Sequence, residues 1–302
     1  MMGAELRGDG NSTESKFGWS VSLSSYDNIL AVGAPHEEGV GQVHMYKFDE
    51  SEGQWAKYGH TIQGQEIGCE FGNSTDLSDN GQVLAVGARN QNNGKGQVQI
   101  FQFQRGEWQP KGQPLQGTMR NGNFGTTVSL SGDGNRIAVS AGRHDFSTDM
   151  EDTGLVQVFE YDFVEQKWNQ LGSDLHGDEA YEKFGFSAAL SAGGGVLVVG
   201  SPFHGQSLNS DGEKEWGGRV KVYKWDEDAF DWIQLGNTLR GASPKERAGW
   251  SVDVSANGYI VAVGAPFNDG NGEASGQVRM YQHDTNSDEW KPMGPAIQGV
   301  DQ

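Results

Sequence analysis

The chain has 302 residues and carries 22 Lys and Arg against 41 Asp and Glu, a formal net charge of −19. A field of this sign repels nucleic acid and anionic membranes, so neither is expected as a partner. Cys69 is the single cysteine, which excludes an intramolecular disulfide. No apolar run approaches the roughly 18 residues of a membrane helix, so we expect no membrane insertion.

One motif recurs five times with identical spacing: a Trp, a Gly, an Ile or Leu, and a second Gly. Its copies are Trp55/Gly59/Ile62/Gly64, Trp108/Gly112/Leu115/Gly117, Trp168/Gly172/Leu175/Gly177, Trp232/Gly236/Leu239/Gly241 and Trp290/Gly294/Ile297/Gly299. Such regularity indicates one supersecondary unit copied five times. The predicted repeats are about 17–70, 71–123, 124–183, 184–247 and 248–299, within a single domain 1–302.

Each copy contains segments that predict strands. In the first copy, Trp19, Val21 and Leu23 alternate with three serines, and this period of two is typical of a strand. The short apolar run 30–34 predicts a strand buried on both faces. A second alternating segment around Val43 and then the Trp segment complete four antiparallel strands. No stretch has a sustained helical period, so helix should be nearly absent.

Four-stranded units of this length suit the blades of a β-propeller, because stacking on neighbours is what removes their faces from water. The sequence therefore predicts an all-β propeller of four-stranded antiparallel blades, with five blades. The alternative is a five-repeat segment of a seven-bladed propeller. It is suggested by residues 6–9, which match the end of a repeat at 175–178.

Phe17-Gly18 leading to Gly33-Ala34-Pro35, with Gly264-Ala265-Pro266 in the last copy, resembles the FG-GAP repeat. Repeats of that family form the propeller head of integrin alpha chains, and the resemblance covers about residues 17–299. It implies cell adhesion or ligand binding and an extracellular or cell-surface location.

Several blades of that family carry a calcium loop between their first two strands. The corresponding turns here are too short and too poor in oxygen ligands for calcium, so we expect no cofactor at that position. Asp269, Asn271 and Glu273 place three oxygen ligands at alternate positions in a different loop and are the candidate calcium ligands.

The loops after the second strand vary most between copies, and variable loops on a repeated frame are where binding specificity is usually built. A polar residue recurs just after this strand, as His36, Asn90, His144, His204 and Asn268. These side chains are candidate ligand-binding residues if they converge. The alternative is that each closes a local turn. Trp216, in the long loop of the fourth copy, is a further candidate because no structural role is evident for it.

We therefore expect a non-enzymatic binding or adhesion module that recognises a protein or a glycan through the variable loops on one face. One alternative is a propeller enzyme, a hydrolase or lyase, with an axial acidic site. Another is an architectural repeat of a large surface protein. No Gly-x-Ser-x-Gly or His-Glu-x-x-His motif is present, and no catalytic residue is assigned.

Overall fold

The computed structural model describes residues 4–8, 14–208, 212 and 214–300. In this part of the chain the fold is all-β, with five five-stranded sheets and one two-stranded sheet. Helix among these residues is limited to a 3-10 turn at Glu37–Gly39 and a four-residue helix, α1, at Gln91–Gly94. The predicted near-absence of helix is confirmed, and no helix among the described residues has the length and apolarity needed to cross a membrane.

The strands occur in the order of the repeats. The first sheet contains β1 (Ser20–Leu23), β2 (Ile29–Ala34), β3 (Gln42–Asp49), β4 (Gln54–Lys57) and β5 (Ile62–Gln63). The second contains β6 (Phe71–Leu77), β7 (Val83–Ala88), β8 (Gln97–Gln104), β9 (Glu107–Pro110) and β10 (Leu115–Gln116). The third contains β11 (Phe124–Leu130), β12 (Arg136–Ala141), β13 (Leu155–Asp162), β14 (Lys167–Gln170) and β15 (Leu175–His176).

The fourth repeat has two sheets. Its main sheet contains β16 (Ser187–Leu190), β17 (Val196–Ser201), β20 (Arg219–Asp226), β21 (Asp231–Gln234) and β22 (Leu239–Arg240), and its extra hairpin consists of β18 (Gln206–Leu208) and β19 (Lys214–Trp216). The last sheet contains β23 (Ser251–Val254), β24 (Ile260–Ala265), β25 (Gln277–Asp284), β26 (Glu289–Pro292) and β27 (Ile297–Gln298).

Every five-stranded sheet has the same topology. The first strand pairs with the second, the second with the third, and the third with both remaining strands. In the first sheet, one half of β3 pairs with β4 and the other half pairs with β5. The prediction of four strands was therefore wrong in one respect, because the fourth strand is interrupted. Gly59, at φ +75°, lies between its two halves and takes the backbone out of the extended conformation.

The second strands are the buried centre of each sheet, as their apolar runs predicted. All six residues of β7 are buried. Strand β7 shares one apolar cluster with β2 and β3, which includes Ile29, Val43, Phe71 and Trp108. A cluster of the same kind includes Val198, Val222, Val261 and Trp290 of the last two repeats.

The chain divides into two compact units. One comprises Met1–Val139 and Phe159–Asn169, and the other Ser140–Val158 and Gln170–Gln302. The first two sheets lie in the former, the last two in the latter, and the third contributes strands to both. The single domain 1–302 stays a prediction.

Within each unit, consecutive repeats pack through glycines. A Cβ atom on Gly33 of β2 would lie 2.2 Å from the carbonyl oxygen of Gly72, so only glycine leaves room for the next Phe-Gly segment here. Ser20 Oγ donates to that same Gly72 oxygen at 2.9 Å. The serine side of the first strand thus faces the next sheet, and small residues are what this close approach requires.

Candidate functional site

A cleft of about 240 Å³ lies in the second unit, between loops of the last two repeats. The β18–β19 hairpin forms one wall, and the loop after β24 forms another. Its lining residues are Lys214, Glu215, Trp216, Lys245, Arg247, Phe267, Asp269, Glu273 and Ala274. Two of the predicted site elements, Trp216 and the acidic loop of the last repeat, therefore meet in one place.

Arg247 organises this cleft. Its guanidinium carbon lies 4.6 Å from the ring centroid of Phe267, 5.0 Å from that of Phe203 and 5.2 Å from that of Trp216. Trp250 is a fourth ring, at 5.9 Å. Burial lowers the pKa of Arg247 below its ordinary value, and the group remains a cation at neutral pH. Cation–π attraction therefore fixes the arrangement of the aromatic wall.

Arg247 is presented to these rings by its backbone. It occupies the left-handed region at φ +52°, and its N–H donates to the carbonyl oxygen of Trp216 at 3.2 Å. The residue before the Phe-Gly or Ala-Gly pair has a positive φ in every copy, at Lys16, Glu70, Asn123, Lys183 and Arg247. The positive φ is thus common to all five repeats, whereas the arginine side chain that it orients is found only at Arg247 of the last repeat.

The charges around the cleft are balanced. Lys214, Lys245 and Arg247 face three acidic residues, and Lys245 Nζ lies 3.6 Å from Glu215 Oε1. In a chain with a net charge of −19 this makes the cleft locally neutral. The cleft thus combines apolar ring faces with hydrogen-bond donors and acceptors of both signs.

Two of the three candidate calcium ligands form hydrogen bonds with backbone groups in different parts of the chain. Asp269 Oδ1 accepts the backbone N–H of Ala274 at 2.8 Å, while Asn271 Nδ2 donates to the carbonyl oxygen of Gly299 at 3.0 Å. Asp269 and Glu273 both line the cleft. Calcium binding by the three residues stays a prediction.

His204 belongs to a buried ion-pair cluster. Its Nδ1 lies 2.9 Å from Glu182 Oε2, and Arg240 Nη1 donates to its Nε2 at 3.0 Å, so the proton of the neutral ring is on Nδ1. Arg219 Nη2 lies 2.9 Å from both carboxylate oxygens of the fully buried Glu182. Glu179, Glu182 and His204 are close enough to share a cation, but Arg219 already neutralises the central carboxylate. These contacts therefore favour a structural role for the cluster.

The other four recurring polar residues also contact side chains that are distant in the sequence. His36 Nε2 lies 3.8 Å from Glu70 Oε1, and Asn90 Oδ1 accepts from Asn123. Asn268 Nδ2 donates to the buried Glu246 at 2.6 Å. The His144 ring lies 5.8 Å from the His176 ring. The partners are distant in the chain, and both the turn-closing alternative and convergence on one ligand stay predictions.

His144 and His176 share one further property. The Nδ1 atom of each is buried without a hydrogen-bond partner among the described residues. Burial lowers the pKa of both rings below the ordinary 6.5, although the nearby Asp174 acts in the opposite direction. Both are therefore neutral at pH 7.

The sequence did not reveal Arg247, Lys214 or Lys245 as cleft residues. Arg247 immediately precedes the divergent Ala248-Gly249 pair, and a long cation recurs at the same place as Lys16 and Lys183. Lys16 lies over the Trp19 ring and Lys183 over the Phe203 ring. The recurrence of a long cation before the Phe-Gly or Ala-Gly pair is the sequence feature from which Arg247 could have been predicted.

No family model matches the chain, and no curated protein matches it by sequence. Solved structures with a propeller-like all-β fold do match. One is the hydrazine synthase of Kuenenia stuttgartiensis, with 12% identity, a TM-score of 0.56, and 95% of this chain and 68% of that chain covered. Another is Saccharomyces cerevisiae Sqt1, with 10% identity, a TM-score of 0.54, and 96% and 64% covered.

At these identities the likeness shows the fold alone. This chain spans about two thirds of the length of either structure.

Proposed function

We propose that the chain is a non-enzymatic binding module of FG-GAP type, and that it takes a carbohydrate in the cleft beside Trp216. The five sheets are blades of a β-propeller in this proposal. Their common topology and the propeller-like folds of the two solved structures support the assignment. An extracellular or cell-surface location is part of the same proposal, because the FG-GAP resemblance implies it.

The observation that carries the binding function is the wall of aromatic rings around Arg247. A sugar ring has apolar C–H faces that pack on aromatic side chains, and hydroxyl groups that both donate and accept. Phe267 is exposed and Trp216 is half-buried, so ring surface is accessible. Asp269 and Glu273 can accept from hydroxyls while Lys214 and Lys245 donate to them.

Local neutrality narrows the class of ligand. A cationic peptide would gain little here, since three basic side chains offset three acidic ones. A neutral glycan needs no net charge and uses the alternating donors and acceptors. This favours the glycan over the protein ligand among the two predicted partners.

The number of blades stays part of the proposal: five blades, with a five-repeat segment of a seven-bladed propeller as the alternative.

The test is a glycan array and then calorimetric titration of the best-retained sugar. We expect Trp216→Ala and Phe267→Ala each to weaken binding at least tenfold. Phe163→Ala is the matched control, because Phe163 is an exposed aromatic residue far along the chain from the cleft, and it should bind as the parent does. Retention of no glycan, or unchanged affinity in Trp216→Ala, would contradict the proposal.

A further inference from the structure

Two positions that lie near each other recur in the last three repeats. One is just after the second strand, and the other ends the interrupted fourth strand. The pairs at these positions are His144 with His176, His204 with Arg240, and Asn268 with Gln298. In the fourth repeat the two side chains touch, since Arg240 Nη1 lies 3.0 Å from His204 Nε2. Of these three repeats, only the third has an imidazole at both positions.

The backbone at the two positions is the same in the three repeats. The N–H group of the residue after the second strand donates to the carbonyl oxygen that ends the strand, at 3.1, 3.2 and 3.3 Å in chain order. The residue at the other position pairs with the first residue of the third strand in each case. The three pairs are therefore different side chains on a common backbone, and the amide pair of the last repeat is a natural replacement for the imidazole pair.

Each imidazole of the third repeat has a buried nitrogen atom without a partner. Nδ1 of His144 and Nδ1 of His176 form no hydrogen bond with any described residue. Buried polar atoms are nearly always hydrogen-bonded, and an exception requires a cause such as a bound ion. The Nδ1 atom of a neutral imidazole is also a common ligand of transition metals. One cation between the rings would therefore satisfy both nitrogen atoms.

The separation of the rings suits a shared metal ion. Their centroids lie 5.8 Å apart. Two imidazoles that bind one zinc ion at about 2.0–2.1 Å have centroids roughly 5 to 6 Å apart, because the ion lies between their nitrogen atoms. The Phe146 ring contacts the His176 ring edge to face at 4.8 Å, so an apolar group shields the pair on one side.

A carboxylate lies beside the pair only in the third repeat. Asp174 is two residues before His176, and the other repeats have uncharged residues there: Thr61, Pro114, Thr238 and Ala296. Asp174 Oδ1 accepts from the side-chain amides of Gln157 at 2.7 Å and Gln170 at 2.8 Å. Metal-site carboxylates are commonly held by such second hydrogen bonds. The third repeat thus has two imidazoles and an oriented carboxylate at positions where no other repeat has this set.

The ionisation of the rings also favours a metal. Burial lowers the pKa of both imidazoles, and the Asp174 carboxylate acts in the opposite direction. Metals compete with protons for the imidazole nitrogen, so a ring that is already neutral at pH 7 binds one without first losing a proton. Asp145 acts on His144 in the same direction as Asp174 does. The pair therefore offers neutral donors in negatively charged surroundings, which attract a cation.

We propose that His144 and His176 bind one divalent transition-metal ion through their Nδ1 atoms, with the Asp174 carboxylate beside it. Imidazole suits zinc, copper and nickel, whereas calcium and magnesium prefer oxygen ligands. The ion would tie the loop after β12 to β15. Neither histidine lines the cleft beside Trp216, so this site is separate from the proposed carbohydrate site.

Calorimetric titration of the chelator-treated chain with zinc chloride is the first test. We expect zinc binding that is at least tenfold weaker in His144→Asn and in His176→Gln, which introduce the side chains of the last repeat. His60→Asn is the matched control, because His60 is an exposed histidine that pairs with Glu107, and it should bind zinc as the parent does. Calcium should not displace the zinc. Unchanged zinc affinity in either variant of the pair, or an equal loss in His60→Asn, would overturn the proposal.

Two further measurements do not depend on a variant that folds normally. In long-range proton–nitrogen NMR spectra of the parent chain, zinc should shift the Nδ1 resonances of His144 and His176 together, and those of Nε2 much less. Zinc should also raise the melting temperature of the parent, because it binds the folded chain and not the unfolded one. A shift at Nε2 in place of Nδ1, or no shift at either histidine, would contradict ligation by this pair.

Discussion

The second and fourth repeats share a sheet topology and differ in the segment after the second strand. In the second repeat this segment is the four-residue helix α1, and in the fourth it is the β18–β19 hairpin that forms a wall of the cleft. The residue two before the Phe-Gly pair also differs, as a buried Cys69 in one and a buried Glu182 in the other. The strand topology is therefore the same in both repeats. The repeat with the longer loop also has a buried charged residue, Glu182, where the other has a cysteine.

The largest effect should come from breaking the cluster around that glutamate. In Glu182→Ala, the buried Arg219 keeps only the exposed Asp178 as a carboxylate partner. Losing one member of a buried ion pair costs about 3–5 kcal/mol of the free energy of unfolding, and we expect a loss toward the lower end of that range. Urea denaturation measures this change. Glu179→Ala is the control, since Glu179 is exposed and should change stability by less than about 0.5 kcal/mol. A loss of similar size in both variants would show that the buried pair is not what stabilises the fourth repeat.

The next effect concerns the aromatic wall. Arg247→Ala removes a cation that lies against four rings, and we expect a loss of about 1–2 kcal/mol in the free energy of unfolding, together with weaker glycan binding. Lys245→Ala leaves the rings in place and is the control for stability. The exposed Lys224→Ala, outside the cleft, is the control for glycan binding. Arg247→Lys should recover only part of the loss, because the planar guanidinium stacks on rings and an ammonium does not. Full recovery by lysine would argue that charge alone holds the wall.

The strand pattern was predictable because apolar periodicity is local. The segment from Trp19 to Leu23 and the run 30–34 predict strands that the structure has at Ser20–Leu23 and Ile29–Ala34. The break in the fourth strand is also encoded in the repeated motif, since Gly59 is one of its members. The spacing alone did not reveal that this glycine has a positive φ.

The cleft was predictable only in part. Trp216 was singled out because no strand position explained it, and Asp269 and Glu273 because oxygen ligands recur in their loop. That these loops meet Arg247 depends on contacts between residues far apart in the chain, which no local pattern encodes. The bond between His204 and Glu182 is likewise a product of packing.

A buried lysine of the second repeat occupies a position that is apolar in the next two repeats. Lys111 of the second repeat corresponds to Leu171 and Leu235 of the third and fourth repeats, and its ammonium donates to the Gly134 carbonyl oxygen at 2.7 Å. Burial lowers the pKa of Lys111 to about 8 from its ordinary 10.5. Between these two pH values the unfolded chain holds a proton that the folded chain has released, so stability should rise with pH.

Lys111→Leu should remove this alkaline rise, and thermal melts from about pH 7.5 to about pH 10 measure it. The exposed Lys57→Leu is the control and should keep the slope. An unchanged slope in Lys111→Leu would assign the rise to another group.

The smallest effect is expected in the third repeat, whose His144 stands where the second and fifth repeats have Asn90 and Asn268. The pKa values of His144 and His176 are lowered by burial, so as pH falls below the ordinary 6.5 the unfolded chain takes up protons that the folded chain does not. Stability should therefore fall on the acid side and be unaffected well above that pH. Denaturation midpoints in His144→Asn should depend less on pH there, whereas His60→Asn, at an exposed histidine, should behave as the parent does. Equal acid sensitivity in both variants would locate the titrating groups outside this pair of rings.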